Sequence, residues 1–360
     1  MSSTHKKAII PIFVPHKGCP HDCVFCNQDK ITGYKEDINK ALVKERIEMY
    51  LSTMADRQPE HIEIAFYGGS FTAIDFSIQK TFLEVAHAFV VSGQVHSIRL
   101  STRPDAISIE GLKLLKKHGV QTIELGVQSM DIDVLKGSER GHLVEDVVNA
   151  TELIKREGFR LGLQMMIGLP EDTEAKNKAT ALQIADLKPD FVRIYPTLVI
   201  RNTKLAELYK SGEYQPLTLN EAIKWTAIAY TVFGQRSIPV IRVGLQPTTE
   251  LEDGTTVVAG PYHPSFRQMV DGYVFQTCID TYLKSLSKSF KALELTIHPK
   301  MRSALMGIRK QVINEIIEKN KIEDLKIMED KDMNIDDINV KVNGFESELL
   351  NRFETLNFKL

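Results

Sequence analysis

Three of the chain's four cysteines, Cys19, Cys23 and Cys26, stand in one short stretch, Gly18-Cys19-Pro20-His21-Asp22-Cys23-Val24-Phe25-Cys26. Thiolates are soft ligands, and the spacing CxxxCxxC suits an iron–sulfur cluster. Three ligands on a four-iron cube leave one iron open to a chelating ligand. The alternative is zinc, with His21 or Cys278 completing a tetrahedron. A secreted disulfide framework would spread its cysteines along the chain. Cys278 lies in an apolar helical pattern and reads as a small buried hydrophobe. Pro20 and Gly18 shape a tight loop around the cysteines. His16 and Lys17 flank that loop and face either substrate or water.

An open iron can chelate the amino and carboxylate groups of S-adenosylmethionine (SAM). Reduction of the 4Fe–4S cluster beside the sulfonium then breaks a carbon–sulfur bond and yields a 5′-deoxyadenosyl radical. The cofactors carry that chemistry, while the protein positions them and excludes stray hydrogen donors. Phe25 is an aromatic able to pack near the adenine.

These residues need elements to hold them. Short β-branched runs at Ala8–Val14, Ile62–Tyr67, Ser97–Ser101, Thr122–Val127, Leu161–Ile167 and Phe191–Tyr195 read as strands. Helical spacing fills the gaps at Ile38–Met54, Ile78–Val91, Ile109–His118, Val144–Glu157 and Thr173–Leu187. Ser77 and Thr173 are expected N-caps, and Gly119 and Gly158 expected stops. Strands alternating with helices imply a parallel sheet, either doubly wound or an incomplete barrel. Unusual residues follow every strand: the cysteines, Gly68-Gly69, Thr102-Arg103, Gln128, Gly168-Leu169-Pro170 and Pro196-Thr197. A site spread around a rim favours a barrel. The expected fold is therefore α/β, a partial (β/α)6 TIM-like barrel with a C-terminal α+β extension.

Residues 1–235 form the barrel in this reading, with the cysteine loop at 15–34. Residues 236–298 complete it: a helix at Leu219–Phe233 leads to a strand at Val240–Leu245, a Gly/Pro/Thr-rich loop at 247–264, a helix at Ser265–Leu286 and a strand at Ala292–His298. Residues 299–360 form a small tail expected to run helix, strand, strand, helix. Its Gly307-Ile308-Arg309-Lys310 faintly resembles the two-glycine clamp of a KH-type RNA-binding domain, with one glycine missing. The alternative is a cap burying one face of the barrel.

The combination of motifs resembles the radical SAM superfamily. Cys19 to Cys26 matches its signature, and Tyr67-Gly68-Gly69-Ser70-Phe71-Thr72 looks like its glycine motif, whose backbone meets the methionine amino group; only glycine permits so close an approach. More specifically, the chain resembles the radical domain of the Elongator catalytic subunit, which modifies tRNA uridine. The matching stretches are Ser101-Thr102-Arg103-Pro104-Asp105, Glu124-Leu125-Gly126-Val127-Gln128-Ser129, Arg140-Gly141-His142, Met166-Ile167-Gly168-Leu169-Pro170 and Ile194 to Arg201. A looser match is Val258-Ala259-Gly260 with Phe266 to Val270. Oxygen-independent coproporphyrinogen oxidases share a more distant version.

The resemblance implies a 4Fe–4S cluster on Cys19, Cys23 and Cys26. It implies SAM held by Phe25, Gly68, Gly69, Thr102, Arg103, Gln128 on the ribose, Arg140 on the methionine carboxylate, Gln164, Ile167 and Leu198. An arginine can fork onto a carboxylate, and an amide can pair with hydroxyls. Gln164 stands where the family often has an acid. Arg140 on its own would be a solvated charge. Glu124, inside a strand, is either a catalytic residue or a structural ion-pair partner, and Tyr195 is either substrate-side or core packing.

The Elongator subunit continues into an acetyltransferase domain. This chain stops at Leu360 without a glycine-rich acetyl-coenzyme A signature, so no acetyl-coenzyme A is expected. The expected electron donor is a low-potential flavodoxin or ferredoxin. A tRNA base is the leading substrate, a porphyrinogen or other small molecule the second, and a non-catalytic cluster-bearing RNA-binding scaffold the third reading.

Bulk properties set outer limits. The 360 residues are 43% hydrophobic and 26% charged, with formal net charge -2. That is a globular balance with no global basic field. No apolar stretch is long enough for a membrane, and the N-terminus lacks the apolar core of a signal peptide. A cytoplasmic, reducing location is expected.

Overall fold

Apolar and polar side chains alternate along the strands, and that alternation decides the architecture. In β1 (Lys7–Phe13), Ile10 and Ile12 are buried. Helix α1 (Lys40–Met54) follows, then β2 (His61–Tyr67), α2 (Phe76–Val91), β3 (Ser97–Thr102) and α3 (Ile109–Lys117). Next come β4 (Val120–Gln128), α4 (Ile132–Gly137), α5 (Val144–Arg156), β5 (Arg160–Ile167), α6 (Glu174–Asp186) and β6 (Phe191–Pro196). Ile64 and Phe66, Ile98 and Leu100, Ile123 and Leu125, Leu163 and Met165, and Val192 and Ile194 belong with the helices to one continuous core. The intervening positions carry Glu63, Arg99, Glu124, Gln164 and Arg193. A parallel sheet buried on both faces would be apolar throughout. One face here packs on helices, and the other lines a polar lumen.

The computed structural model describes residues 7–14, 19, 23–26, 38–54, 56, 59–246, 251, 254–286, 290–345 and 347–354. The flanking loop residues Gly18, Pro20 and His21, with His16 and Lys17, lie outside these. So does most of the 15–34 loop and part of 247–264.

Seven parallel strands stand in the order β1-β2-β3-β4-β5-β6-β8. Here β7 is Val199–Ile200, followed by α7 (Lys204–Ser211), α8 (Leu219–Gln235) and β8 (Val240–Val243). The order follows the sequence without reversal, so the sheet curls as a half-barrel and has no switch point of the doubly wound kind. The seventh strand, β8, lies in the stretch expected to complete the barrel and pairs in parallel with β6.

Local signals explain most boundaries. Thr173 caps α6 by accepting from the Lys176 amide at 3.2 Å. Gly119 and Gly158 take φ of +75° and +78°, the left-handed conformation that ends a helix. Ser77 is not the N-cap of α2. Asp75 holds that place, its carboxylate accepting from the Ser77 and Ile78 amides at 2.8 and 3.4 Å. A charged acceptor at a helix N-terminus outcompetes a hydroxyl inside the first turn.

Two later features differ from expectation. The Gly/Pro/Thr-rich loop contains a strand, β9 (Val257–Ala259), which pairs antiparallel with β7. The tail is also built differently. Helix α9 (Phe266–Ser285) leads to β10 (Ala292–Ile297), α10 (Arg302–Met306), α11 (Gln311–Asn320), β11 (Asp324–Glu329), β12 (Asp337–Val342) and β13 (Ser347–Asn351). Strand β10 does not belong to the middle segment. It pairs in parallel with β11 and antiparallel with β12, inside a sheet ordered β11-β10-β12-β13. The expected closing helix is β13 within the described residues, because its backbone completes the ladder with β12. Gly307 to Lys310 does form the turn between α10 and α11, with Arg309 and Lys310 at positive φ.

The tail shares the barrel's core: Leu295, Leu305, Ile316, Val340 and Phe353 are contiguous with Phe233 and Phe275. Arg352, 2% exposed, seals the joint. Its Nη1 donates to Asp271 at 2.7 Å, and its Nη2 to Asp336 at 2.6 Å and to the Tyr230 hydroxyl at 2.8 Å.

Candidate active site

The cysteine loop is held from both sides. The Val24 amide donates to Ser138 O at 3.1 Å, just after α4, and Val24 O accepts from the Leu205 amide of α7 at 2.7 Å. Val24 packs with Val199, Leu205, Ala206 and Tyr214, and Phe25 lies against that group. The segment after β6 therefore buttresses the loop from outside. Phe25 packs in this buttress, so its described contacts anchor the loop and none of them marks an adenine seat.

The next strand ends come up beside the cysteines. Gly68 takes a φ of +103°, and a Cβ there would press on the Val14 amide nitrogen at 3.3 Å. That close approach fixes Gly68-Gly69 against the end of β1. Ser70 Oγ lies 3.4 Å from Cys19 Sγ. Thr102 has its hydroxyl 2.6 Å from that of Thr72, which ties the glycine loop to β3.

Two buried arginines follow. Arg140 is 7% exposed. Its Nη1 donates to Cys23 Sγ at 3.4 Å and its Nη2 to Gly126 O at 2.7 Å. A solvated surface charge is excluded. Arg103, 1% exposed, donates from Nε and Nη2 to Asp105 at 2.9 and 3.0 Å and from Nη2 to Arg140 O at 2.7 Å. Burial would raise the Asp105 carboxyl, but the Arg103 hydrogen bonds and charge outweigh it and hold it below the usual range. Arg103 Nη1 and Arg140 Nε have no hydrogen-bond partner among the described residues.

Gln128 stands at a bulge in the β4–β5 pairing with a φ of +69°. It accepts from Gln164 Nε2 at 3.1 Å, so the two amides form one polar edge. The missing side chain at Gly126 makes room for the Arg140 guanidinium and the Gln128 amide. A Cβ there would stand 2.8 Å from both Arg140 Nη2 and Gln128 Nε2. Ile167 and Leu198 do not join this edge by their side chains. Ile167 is fully buried on the helix-facing side, and its carbonyl accepts from the Thr197 amide at 2.9 Å. Leu198 is buried with Ile200 and Leu251 in a separate cluster under β7 and β9. Alternation along β5 turns Ile167 away, since it shares a face with Leu163 and Met165.

Below the rim, charges form a ladder across the lumen. Arg99 lies 2.6 Å from Glu63 and 3.0 Å from Glu124. Glu124 also faces Arg193, with Nε and Nη2 at 2.6 and 3.2 Å. Glu124 thus sits between two guanidinium groups, in the place of a structural ion-pair partner. Arg193 crosses the lumen. Its Nη1 donates to the Tyr195 hydroxyl and its Nη2 to the Tyr67 hydroxyl, both at 3.3 Å. Burial disfavours the Arg193 charge, but Glu124 more than restores it. Burial pushes the Tyr67 phenol up, with Glu124 adding to the effect. Tyr195 and Glu124 are therefore parts of one polar floor.

Sequence reasoning missed Tyr67, Glu63, Arg99, Arg193 and Asp105. A signal existed, because each charged residue in this set except Asp105 interrupts a β-branched run at the lumen-facing period. His142, beside Arg140, was also passed over. Burial first, then Arg140 and Arg103, lowers its pKa to about 3, so it is neutral. Asp172, after β5, is pushed up to about 6 by burial, against hydrogen bonds from the Gly168 and Thr173 amides.

The donor set is three soft thiols, the ligand type that iron–sulfur clusters take. Cys19, Cys23 and Cys26 are free thiols. Among the described residues, no three His, Cys, Asp or Glu side chains converge as a metal-ion set. Cys278 is fully buried in α9 within the core and cannot serve as a fourth zinc ligand. His21 lies outside the described residues. The guanidinium on Cys23 and the hydroxyl beside Cys19 are the hydrogen-bonding partners that cluster sulfurs take.

Known proteins agree with this geometry. Residues 13–184 match the profile of the Radical SAM superfamily, and residues 189–276 that of the Radical_SAM C-terminal domain. A protein from Methanocaldococcus jannaschii named tRNA uridine(34) acetyltransferase is 30% identical over 264 residues, 62% of this chain and 49% of that one. Bovine Elongator complex protein 3 is 28% identical over 282 residues, covering 63% of this chain and 50% of its own. The chain thus spans about half the length of these relatives. A structure of Elp3 from Methanocaldococcus infernus, lacking its first 46 residues, superposes with a TM-score of 0.59 at 25% identity, over 76% of this chain and 63% of that one. No helix among the described residues is long and apolar enough to cross a membrane. Cysteine loop, glycine turn, buried arginine and curled parallel sheet together place this chain in the radical SAM superfamily of enzymes.

Proposed function

We propose that this enzyme holds a 4Fe–4S cluster on Cys19, Cys23 and Cys26 and uses SAM to take a hydrogen atom from a tRNA base. The observation that carries the reading is Arg140, buried and hydrogen-bonded at once to Cys23 Sγ and to the β4 backbone at Gly126, beside the Gln128–Gln164 amide edge. A structural cluster has no need of a guanidinium and paired amides beside its cysteines. Cluster and SAM, when bound, supply a 5′-deoxyadenosyl radical.

The chain's own residues do the rest. Gly68-Gly69 brings backbone close to the cysteines, and Ser70 and Arg140 approach two of their sulfurs. Gln128 and Gln164 present amides at the height of a ribose. The Arg193 bridge closes the lumen below, so a substrate sits between that floor and the rim. The names of the relatives support tRNA as the substrate. A low-potential flavodoxin or ferredoxin would supply the electron.

The test is direct. Anaerobically reconstituted protein, given dithionite and SAM, is expected to release 5′-deoxyadenosine. Deuterium from labelled tRNA is expected in that product. Loss of release in Cys23→Ser, with release retained in Cys278→Ser, is part of the expectation. An intact cluster with no release in the presence of tRNA sinks the catalytic reading in favour of a scaffold. Release without deuterium transfer sinks tRNA alone.

A further inference from the structure

The lumen ladder is neutral up to Arg193. Glu63 and Glu124 balance Arg99 and Arg193. One more cation stands beside it. In the β6–β8 pairing, Arg193 lies opposite Arg242. The register shifts just before that pair, with Ile241 as the extra residue. Such a bulge re-aims the next side chain, and here it puts Arg242 on the Arg193 side of the sheet. Val240 and Val243 stay in the core on the other side.

Like charges directly opposite on neighbouring strands destabilise a sheet. Glu124 relieves Arg193 through two of its nitrogens. Arg242 has no such relief. Among the described residues it faces no carboxylate, and its recorded contact is Nη2 donating to the Gln246 side-chain oxygen at 3.0 Å. It is half-buried on β8, the last strand of the seven-stranded sheet.

The neighbouring groups are also donors. The Tyr67 and Tyr195 hydroxyls each accept from Arg193, so each keeps its own proton to give to something else. Arg193 is committed to Glu124 and the two phenols. Among the described residues, that leaves Arg242, on the strand beside Arg193, as a guanidinium with no carboxylate against it. A fork of guanidinium N–H groups matches the oxygens of a phosphate.

We infer that Arg242 binds a phosphate group of the substrate at the last strand of the sheet, while the Tyr67 and Tyr195 protons serve acceptor atoms deeper in. The phosphate belongs to the polynucleotide backbone if the tRNA reading above holds, and that reading is what this inference deepens.

The experiment is a salt titration of binding to bulk tRNA, using reconstituted holoenzyme, Arg242→Gln and Arg242→Lys. Losing one phosphate contact is expected to weaken binding about tenfold and to reduce the slope of log affinity against log salt by about one. Arg242→Lys is expected to keep most of the slope, and melting temperatures report that each variant is folded. If wild type binds tRNA and Arg242→Gln matches it in affinity and slope, the phosphate subsite is wrong and the tRNA reading stands. If wild type does not bind tRNA, the tRNA reading falls. The subsite is then judged with uridine 5′-monophosphate against uridine. Tighter binding of the monophosphate, lost in Arg242→Gln, keeps it; equal binding of the two overturns it.

Discussion

At the scale of single residues, burial separates the groups that carry chemistry from those that hold it in place. Glu124 has an arginine on each side. Removing its charge leaves Arg99 and Arg193 in the lumen with too little compensation, and breaking a buried pair this way costs about 3–5 kcal/mol. Glu124→Gln is therefore expected to lose stability of that order in urea unfolding. Unchanged stability with lost activity would instead make Glu124 a catalytic residue. Two buried titrating groups give opposite pH dependences. His142 binds its proton at about pH 3 when folded but near its ordinary 6.5 when unfolded. The unfolded chain thus takes up the proton first, and stability is lost as pH falls from 6.5 toward 3. Asp172 titrates at about 6 against an ordinary 3.8, so the folded form holds its proton longer and stability is lost as pH rises through that window. Urea midpoints between pH 4 and 7 check both. His142→Phe should flatten the acid-side loss, and Asp172→Asn should remove the opposing slope. Unaltered profiles in both variants would mean that neither group is buried as described.

At the scale of elements, strand β4 contributes most. It carries Glu124, Gly126 and Gln128 on its lumen face, and its bulge at Gln128 turns the chain into the rim. A methyl group at Gly126 would meet Arg140 Nη2 and Gln128 Nε2, both ends of flexible side chains. Gly126→Ala is thus expected to fold, with a melting temperature close to wild type, yet to bind SAM at least about tenfold more weakly, a difference of about 1.4 kcal/mol. Equilibrium dialysis with reconstituted protein measures it. Wild-type affinity in Gly126→Ala would show that the placing of Arg140 and Gln128 at this edge does not govern binding of the cosubstrate. Helix α7 and strands β7 and β9 act as the loop's outer wall, through Leu205 against Val24. The strand pair β7–β9 was not legible, because three residues of weak alternation inside a Gly/Pro/Thr-rich loop carry no periodic signal.

At the scale of the whole molecule, barrel and tail are one packed body among the described residues. Arg352 reaches from the end of β13 to Asp271 of α9, to Tyr230 of α8 and to Asp336. Phe353 lies where a Cβ on Gly234 would stand, 2.3 Å away. Arg352→Ala leaves Asp271 with Arg267, at 3.1 Å, as its one remaining cationic partner among the described residues, and removes the Arg352 bonds to Asp336 and Tyr230, so a loss of about 3 kcal/mol is expected. A shared core should also unfold in one transition. Two separated urea transitions in the wild-type protein, one assigned to the tail, would contradict it. An independent RNA-clamping tail is harder to reconcile with that joint than a tail that closes the barrel's flank.

Periodicity alone was enough for the strands and the long helices of the barrel, but not for the short helices α4 and α7. Each strand there carries an apolar face, and burial of that face is a local, alternating requirement. Ligand chemistry alone singles out Cys19, Cys23 and Cys26, since three crowded thiols suit a soft metal or cluster. The tertiary structure decided the rest. It joined β10 to the tail, because strand partnership depends on backbone hydrogen bonds between segments far apart in the chain. It turned Ile167 away from the lumen and put Glu124 between two arginines. Those outcomes depend on how strands β2 to β8 curl and face one another, and no single stretch of sequence encodes a distance across a lumen.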